Sequence, residues 1–351
     1  MSGEDATYPI IDDVGSYPLP KYTNKKLFYE LYWDTHKAFL KDIDIWQNRP
    51  VNKYVIKPII DSFRSKIRTG LEVINYPQHI DMYSQFLKPI ENYETDPMVI
   101  DPNKSYLIEM KIIEKAAKRF YEEFGKKLKV KACVSGAMEL YMKKNGFSVY
   151  KDMAMNFARS VNNYLKKSII KNKYMETTVL SVDEPSIGLI TFNGVDNNDI
   201  TDIIERSVEG LDVDVQIHLH SLNAYQLVLE VPDINILTCE YASNQKNVIP
   251  KRDLDVHDKY IRVGVSRTNV GTMIAEEIDR GMDSREFERK KGLLEIIDLK
   301  DRIQNRYREA LDRYGDRLKY VGPDCGLKSW NYQFVAEKLL SRTVTAIKEL
   351  R

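Results

Sequence analysis

Val213-Asp-Val-Gln-Ile-His-Leu-His220 is the stretch on which the reading of the fold turns. Branched apolar residues recur within it, the pattern of an extended strand whose side chains alternate between two faces. Seven other short runs of the same kind are spread along the chain: Tyr8–Val14, Leu71–Tyr76, Val130–Ser135, Thr178–Asp183, Asn235–Glu240, Tyr260–Val265 and Leu318–Val321. Long amphipathic stretches separate them, as expected for parallel strands joined by crossover helices. Eight such units predict a (β/α)8 TIM barrel, a fold that takes about 250 residues before insertions. The chain has 351 residues. The surplus is expected in a helical insertion over about 22–69, read as two helices meeting near Pro50, and in an excursion over about 90–125. The excursion is irregular around Pro97 and Pro102, then helical over Glu109–Phe124. With no repeat, low-complexity tract or linker, residues 1–351 read as a single catalytic domain.

Composition narrows the function. Fifty-three Lys and Arg against fifty-two Asp and Glu leave a net charge of +1, which gives no global field to attract nucleic acid or an anionic membrane. Clusters such as Lys126-Lys127-Leu128-Lys129 are expected to be solvated helix faces. The three cysteines, Cys133, Cys239 and Cys325, are too scattered for a disulfide framework and suggest a reducing compartment. The N-terminus, Met1-Ser-Gly-Glu-Asp, lacks a basic and an apolar signal region, and no run of about 18 apolar residues occurs. The expectation is a cytoplasmic protein with no membrane partner. Neither a dinucleotide glycine motif nor a phosphate loop nor a GxSxG elbow is present.

Chemistry concentrates at three predicted strand ends. His218 and His220, two apart on one strand, share a face and emerge together at the carboxyl end, where barrels place their active sites. They are either a pair of hydrogen-bonded histidines or metal ligands. Glu240 closes the run Ile234-Asn-Ile-Leu-Thr-Cys-Glu and is either a solvated strand end or a site residue. Cys325 follows a strand within Val321-Gly-Pro-Asp-Cys-Gly-Leu-Lys. Together the four are of types that zinc accepts. Cys239, next to Glu240, should point to the opposite face.

The segment Val321-Gly-Pro-Asp-Cys-Gly-Leu-Lys-Ser resembles the C-terminal zinc-cysteine motif of the cobalamin-independent methionine synthases. Other segments are similar to that family in the same order: Val14-Gly-Ser-Tyr-Pro-Leu-Pro, Val134-Ser-Gly-Ala as a weakened T-G-P motif, Asp183-Glu-Pro, and Ile217-His-Leu-His-Ser. The resemblance runs from about Asp13 to Leu350 and implies a zinc-dependent barrel that moves a methyl group onto the thiol of homocysteine. It implies His218 and Cys325 as zinc ligands and Glu240 as the carboxylate ligand that a substrate thiol displaces. Asp183 would pair with the substrate amino group, and Gly15 and Ser16 would hold its carboxylate. Zinc deprotonates a bound thiol, whose free pKa is about 8.5, and so makes the nucleophile.

Three departures qualify the resemblance. The family's second ligand is a cysteine where His220 stands. Imidazole also binds zinc, but it makes the complex less negative and suits a more activated methyl donor. The acid of the family's G-E-x-x-R-x-D-M segment falls near Tyr76 in Asn75-Tyr-Pro-Gln-His-Ile-Asp-Met, and the histidine of its Y-D-I-H-S segment has no counterpart in Val263-Gly-Val-Ser-Arg-Thr. The chain also lacks the additional barrel with which longer members help hold a polyglutamylated folate. A methylated corrinoid or corrinoid protein is therefore the expected donor, with a methylated pterin second. The acceptor is homocysteine or another small thiol. A metal-dependent hydrolase and a non-catalytic relative are the alternatives.

Overall fold

A computed structural model of the chain describes residues 8–351; the acidic Met1–Asp5 stretch lies outside them. Eight parallel strands are present: β1 (Ile10–Ile11), β2 (Ile74–Asn75), β3 (Leu128–Ser135), β4 (Met175–Asp183), β5 (Asp214–His218), β6 (Ile236–Cys239), β7 (Tyr260–Ser266) and β8 (Leu318–Pro323). Their order is β1-β8-β7-β6-β5-β4-β3-β2. The ends of this ribbon meet through parallel bridges Asp12–Val73 and Ser16–Gln78, and Val73 N donates to Ile11 O at 3.2 Å. The sheet thus curls round on itself as the expected TIM-type barrel. Each predicted run contains a strand.

β1 and β2 are shorter than their sequence patterns because carboxylates take the place of ladder carbonyls. Asn75 N donates to Asp13 Oδ1 at 2.8 Å, and Ile11 N donates to Glu72 Oε2 at 2.7 Å. The Lys126–Lys129 cluster is not on a helix face: Leu128 and Lys129 already belong to β3.

Several crossovers carry a helix more than a minimal barrel needs. Lys25–Leu40 precedes a helix spanning 49–68, which has one π turn at Asn52–Ile56. Pro50 sits in the first turn of this second helix, where its missing N–H breaks no hydrogen bond. Met82–Ile90 precedes Ile108–Phe124, and Ala137–Asn145 precedes Lys151–Lys167. No helix of the described residues is long and apolar enough to cross a membrane.

The barrel interior is built in layers with alternate strands contributing to each, as the period-two geometry of strands requires. Val73, Val179, Ile236 and Tyr320, at or beside the even-numbered strands, form one apolar layer. Above it the odd strands supply charge instead of Val or Leu. Asp12 accepts from Arg262 Nε at 2.6 Å, Lys131 Nζ at 3.0 Å and Gln216 Nε2 at 3.1 Å. Lys131 also donates to Gln216 Oε1 at 2.7 Å, and all four residues are almost wholly buried. Burial opposes ionisation of Asp12, but the two cations beside it hold its carboxyl below the usual range. Removing one member of a buried charge network costs more than its net contribution, because the partners stay buried and unpaired.

Asp12→Leu leaves Arg262 and Lys131 facing each other without an anion. It is expected to lower stability by about 3–5 kcal/mol, read from urea denaturation. A loss below about 1 kcal/mol would show that the layer is not held by this carboxylate.

Candidate functional site

Two residues above the charged layer on β5, His218 follows Gln216, and on the even strands Asp183 and Glu240 come four residues after Val179 and Ile236 of the apolar layer. His218 is buried, His220 is exposed, and Glu240 and Cys325 are half-buried. One ligand-type atom from each of the four lies within 4.8 Å of all the others. His218 Nε2 is 3.5 Å from Cys325 Sγ and 3.5 Å from Glu240 Oε1. His220 Nε2 is 3.6 Å from the same Glu240 oxygen and 3.9 Å from Cys325 Sγ.

These separations fit a tetrahedral metal. Zinc bonds of about 2.0–2.3 Å imply ligand-to-ligand edges of roughly 3.3–3.8 Å. Two further features agree. Glu240 Oε1 is buried without a hydrogen-bond partner, an orphan that a cation would satisfy. His218 is drawn toward its charged form. Burial opposes this, but Cys325, Glu240 and Asp183 outweigh it and raise the ring to about 10. Thr238 Oγ1 holds His218 Nδ1 at 3.0 Å and so turns Nε2 toward the set.

Side chains outside the set fix its loops. Asp324, buried beside Cys325, accepts from Ala242 N at 3.0 Å, Ser243 N at 2.7 Å and Ser243 Oγ at 2.6 Å. It thereby ties the loop after Glu240 to the loop that carries Cys325. Glu184 accepts from Met138 N at 3.0 Å and Glu139 N at 2.9 Å, capping the Ala137–Asn145 helix. A Cβ on Gly136 would fall 2.1 Å from the Glu184 carboxyl, so the Ser135-Gly-Ala turn and the Asp183-Glu-Pro loop interlock.

A cavity of about 270 Å³ opens beside the ligand set, bordered by Ser16, Asp81, Asp183, His218, Cys325 and Lys328, among others. Ser16 borders it directly. Gly15 lies behind: its carbonyl accepts from Lys66 Nζ at 2.7 Å, and a Cβ there would meet Cys133 Sγ at 2.8 Å. Gly326 has no room for a side chain either, since a Cβ would come within 2.0 Å of Ser16 Oγ. Asp183, its pKa raised by burial, accepts from Ser181 Oγ at 3.0 Å. Tyr76 turns inward and donates to Cys133 O at 2.8 Å, so no group from that position reaches the pocket wall.

Sequence reasoning passed over Lys328, Asp81, Thr238 and Asp324. Lys328 and Asp81 were inside quoted motifs, and Thr238 shares the inward face with Glu240 by the period of two. Asp324 could be flagged only as a neighbour of Cys325. The remaining histidines stay apart from the set. His79 Nδ1 pairs with Tyr17 O at 2.8 Å, His257 packs near Glu230, and His36 lies on the Lys25–Leu40 helix.

The cysteines differ in the same way. Burial raises all three thiols, Cys133 and Cys239 each up to about 12, and these two are enclosed. Cys325 is partly open to the cavity. After chelation, one thiol per native chain is expected to react with Ellman's reagent at pH 8, lost in Cys325→Ser, with all three reactive only on unfolding. Rapid labelling of two or more native thiols would contradict this assignment.

No protein-family profile matches the chain. It is 27% identical over 201 residues to a methionine synthase of Thermoplasma acidophilum and 25% identical over 205 residues to one of Thermoplasma volcanium. These alignments cover 54% and 55% of the chain, and it spans the same shares, about half, of each relative. Among solved structures, a B12-independent methionine synthase from Shewanella sp. W3-18-1, in complex with selenomethionine, aligns over 97% of both chains. Its TM-score is 0.59 and its identity 14%. A methyltransferase from Methanosarcina mazei aligns over 97% of this chain and 95% of its own, with a TM-score of 0.52 and 12% identity. In sequence over about half its length the chain is similar to methionine synthases, and in fold over nearly all of it to a B12-independent methionine synthase.

Proposed function

We propose that the chain is a zinc-dependent methyltransferase that places a methyl group on the thiol of homocysteine to form methionine. The observation that carries this reading is one cavity bordered both by His218, His220 and Cys325 of the four-residue ligand set and by the charged Asp81, Asp183 and Lys328. His218, His220, Glu240 and Cys325 would hold the ion. When bound, zinc supplies the Lewis acidity that keeps an acceptor sulfur as thiolate near neutral pH.

The chain's own residues do the remaining work. Asp183 accepts a hydrogen bond from the acceptor's ammonium group. Ser16 Oγ and the Lys328 ammonium receive its carboxylate; Lys328 forms no ion pair among the described residues. An amino acid is thus gripped at both charged ends, and its thiol is carried toward the ligand set. Glu240, the ligand that the incoming thiol would displace, would take up the S–H proton. The S–H bond breaks, an S–CH3 bond forms, and the bond from methyl to its carrier breaks with the electron pair leaving on the carrier.

The donor in this reading is a methylated corrinoid or corrinoid protein. The cavity suits one amino acid, which leaves the carrier to approach from outside. Histidine at position 220 leaves the set less negative, and that favours an activated methyl group. Transfer to a different small thiol is the second reading, favoured by the inward turn of Tyr76.

Purified protein is expected to hold about one zinc per chain and to form methionine from homocysteine with methylcobalamin, followed by mass spectrometry. Glu240→Ala and Cys325→Ser should each lower zinc affinity at least tenfold. Bound zinc with no product from any thiol would support a hydrolase, and absence of both would support a non-catalytic relative. Lys328→Met should raise KM for homocysteine at least tenfold and change kcat less, because it removes binding common to ground and transition states. An unchanged KM would remove Lys328 from the carboxylate site.

A further inference from the structure

A second cavity, about 390 Å³, lies on the flank of the barrel, where the Lys25–Leu40 helix, the Met82–Ile90 helix and the excursion after it meet. Its wall includes Trp33, His36, Lys37, Lys88 and Ile100. None of these belongs to the thiol site. The Met82–Ile90 helix nevertheless connects the two cavities: Asp81 and Met82 at its start border the thiol pocket, and Lys88 and Pro89 at its end border this one.

Three features of the wall are independent of one another. Trp33 offers an aromatic surface, with Lys88 Nζ 4.6 Å from its ring centroid. His36 is only 8% exposed, yet its Nε2 is buried without a hydrogen-bond partner. Burial also keeps this ring neutral, lowering it to about 4. A buried ring nitrogen left unpaired costs on the order of 1–3 kcal/mol, which a ligand hydrogen bond would recover. Finally, Lys37 and Lys88 form no ion pair among the described residues, whereas Lys104 on the same wall is paired with Glu94. Asp101 is also on the wall, so the lining carries three lysines against two carboxylates and is positive by one charge, beside the apolar Leu40, Pro89 and Ile100.

We infer that this flank cavity is a binding site for a small planar aromatic anion. Its ring lies along Trp33, its anionic group meets Lys88 and Lys37, and a polar ring atom or substituent pairs with His36 Nε2. The volume falls within the range of small-molecule sites, about 300–1,000 Å³. Stacking and cation contacts of this kind need a flat, polarisable body rather than a bare inorganic anion. The inference is independent of zinc and of the methyl-transfer reading.

The test uses the full-length protein and naphthalene-2-sulfonate, a planar aromatic anion, followed by isothermal titration and by quenching of tryptophan fluorescence. One molecule per chain should bind saturably. Lys88→Met and His36→Phe should each weaken it at least tenfold, with circular dichroism unchanged. Naphthalene-2-methanol, flat but neutral, and inorganic phosphate, anionic but not flat, should each bind at least tenfold more weakly. Binding that survives Lys88→Met undiminished, a neutral ring that binds as well as the sulfonate, or no saturable binding would each overturn the assignment. Lys88 is exposed, so its replacement tests the site even if the His36 variant folds poorly.

Discussion

The Asp12 carboxylate, buried between Arg262 and Lys131 at the axis of the barrel, is the interaction on which the rest of the structure depends. Barrel interiors are usually filled by branched apolar residues that set no direction. Here a carboxylate, a guanidinium, an ammonium and an amide must each meet a partner, so the relative heights of β1, β3, β5 and β7 are fixed by hydrogen bonds as well as by packing. A slip of one residue would turn an entire strand's inward set outward and strand charges in the core. The cost of that error is far larger than a misplaced Val would carry. Arg262 also donates to Pro323 O at 3.0 Å, which extends the constraint to the end of β8, two residues before Cys325.

The site inherits its geometry from this registration. His218 is one inward step above Gln216, so the hydrogen bonds of Gln216 to Asp12 and Lys131 set the level at which the imidazole emerges. Glu240 and Cys325 leave the barrel on different strands and would diverge on free loops. Asp324 prevents that by binding two backbone N–H groups and a hydroxyl just beyond Glu240. Little solvent reaches this latch: Asp324 is 1% exposed, and burial raises its pKa to about 7. Precise ligand positions are thus a property of strand register plus one side-chain clamp, which is the kind of support that metal sites require around their direct ligands.

Much of this was legible in the sequence, and what was not has a physical cause. All eight strands and the meeting of His218, His220, Glu240 and Cys325 follow from local alternation and from parallel strands ending on one face. The charged layer does not. Lys131 and Arg262 sit in runs whose alternation reads correctly, but a lone charge within a strand looks like a solvent-facing residue until its partners across the barrel are known. Asp12 and Lys131 are 119 positions apart and Asp12 and Arg262 are 250 apart. No local pattern reports such a pairing. The shortness of β1 and β2 was hidden for the same reason, since Asp13 and Glu72 accept bonds that alternation assigns to the ladder.

Tyr76 shows how the same architecture shapes the pocket. A tyrosine at this point in β2's continuation cannot keep its hydroxyl in the cavity, because the ring packs inward and the hydroxyl finds Cys133 O. In the proposed function, negative charge at the acceptor's amino end would therefore come from other elements, and Asp183 on β4 would supply it. Asp81, on the near side, spends one carboxylate oxygen on the N–H groups of Tyr83 and Ser84 and leaves the other unbound. Burial raises the Asp81 pKa, but the hydrogen bonds from Ser84 and Tyr83 outweigh it and hold the carboxyl below its ordinary value, with the Lys328 charge a smaller contribution in the same direction. The cavity wall thus carries Asp81, Asp183 and Lys328 beside residues of the ligand set, and a neutral thiol would leave both signs of charge unmatched. Under the proposed function a zwitterion would match both, and the polar cost of leaving either pole empty would discriminate an amino-acid thiol from an uncharged one.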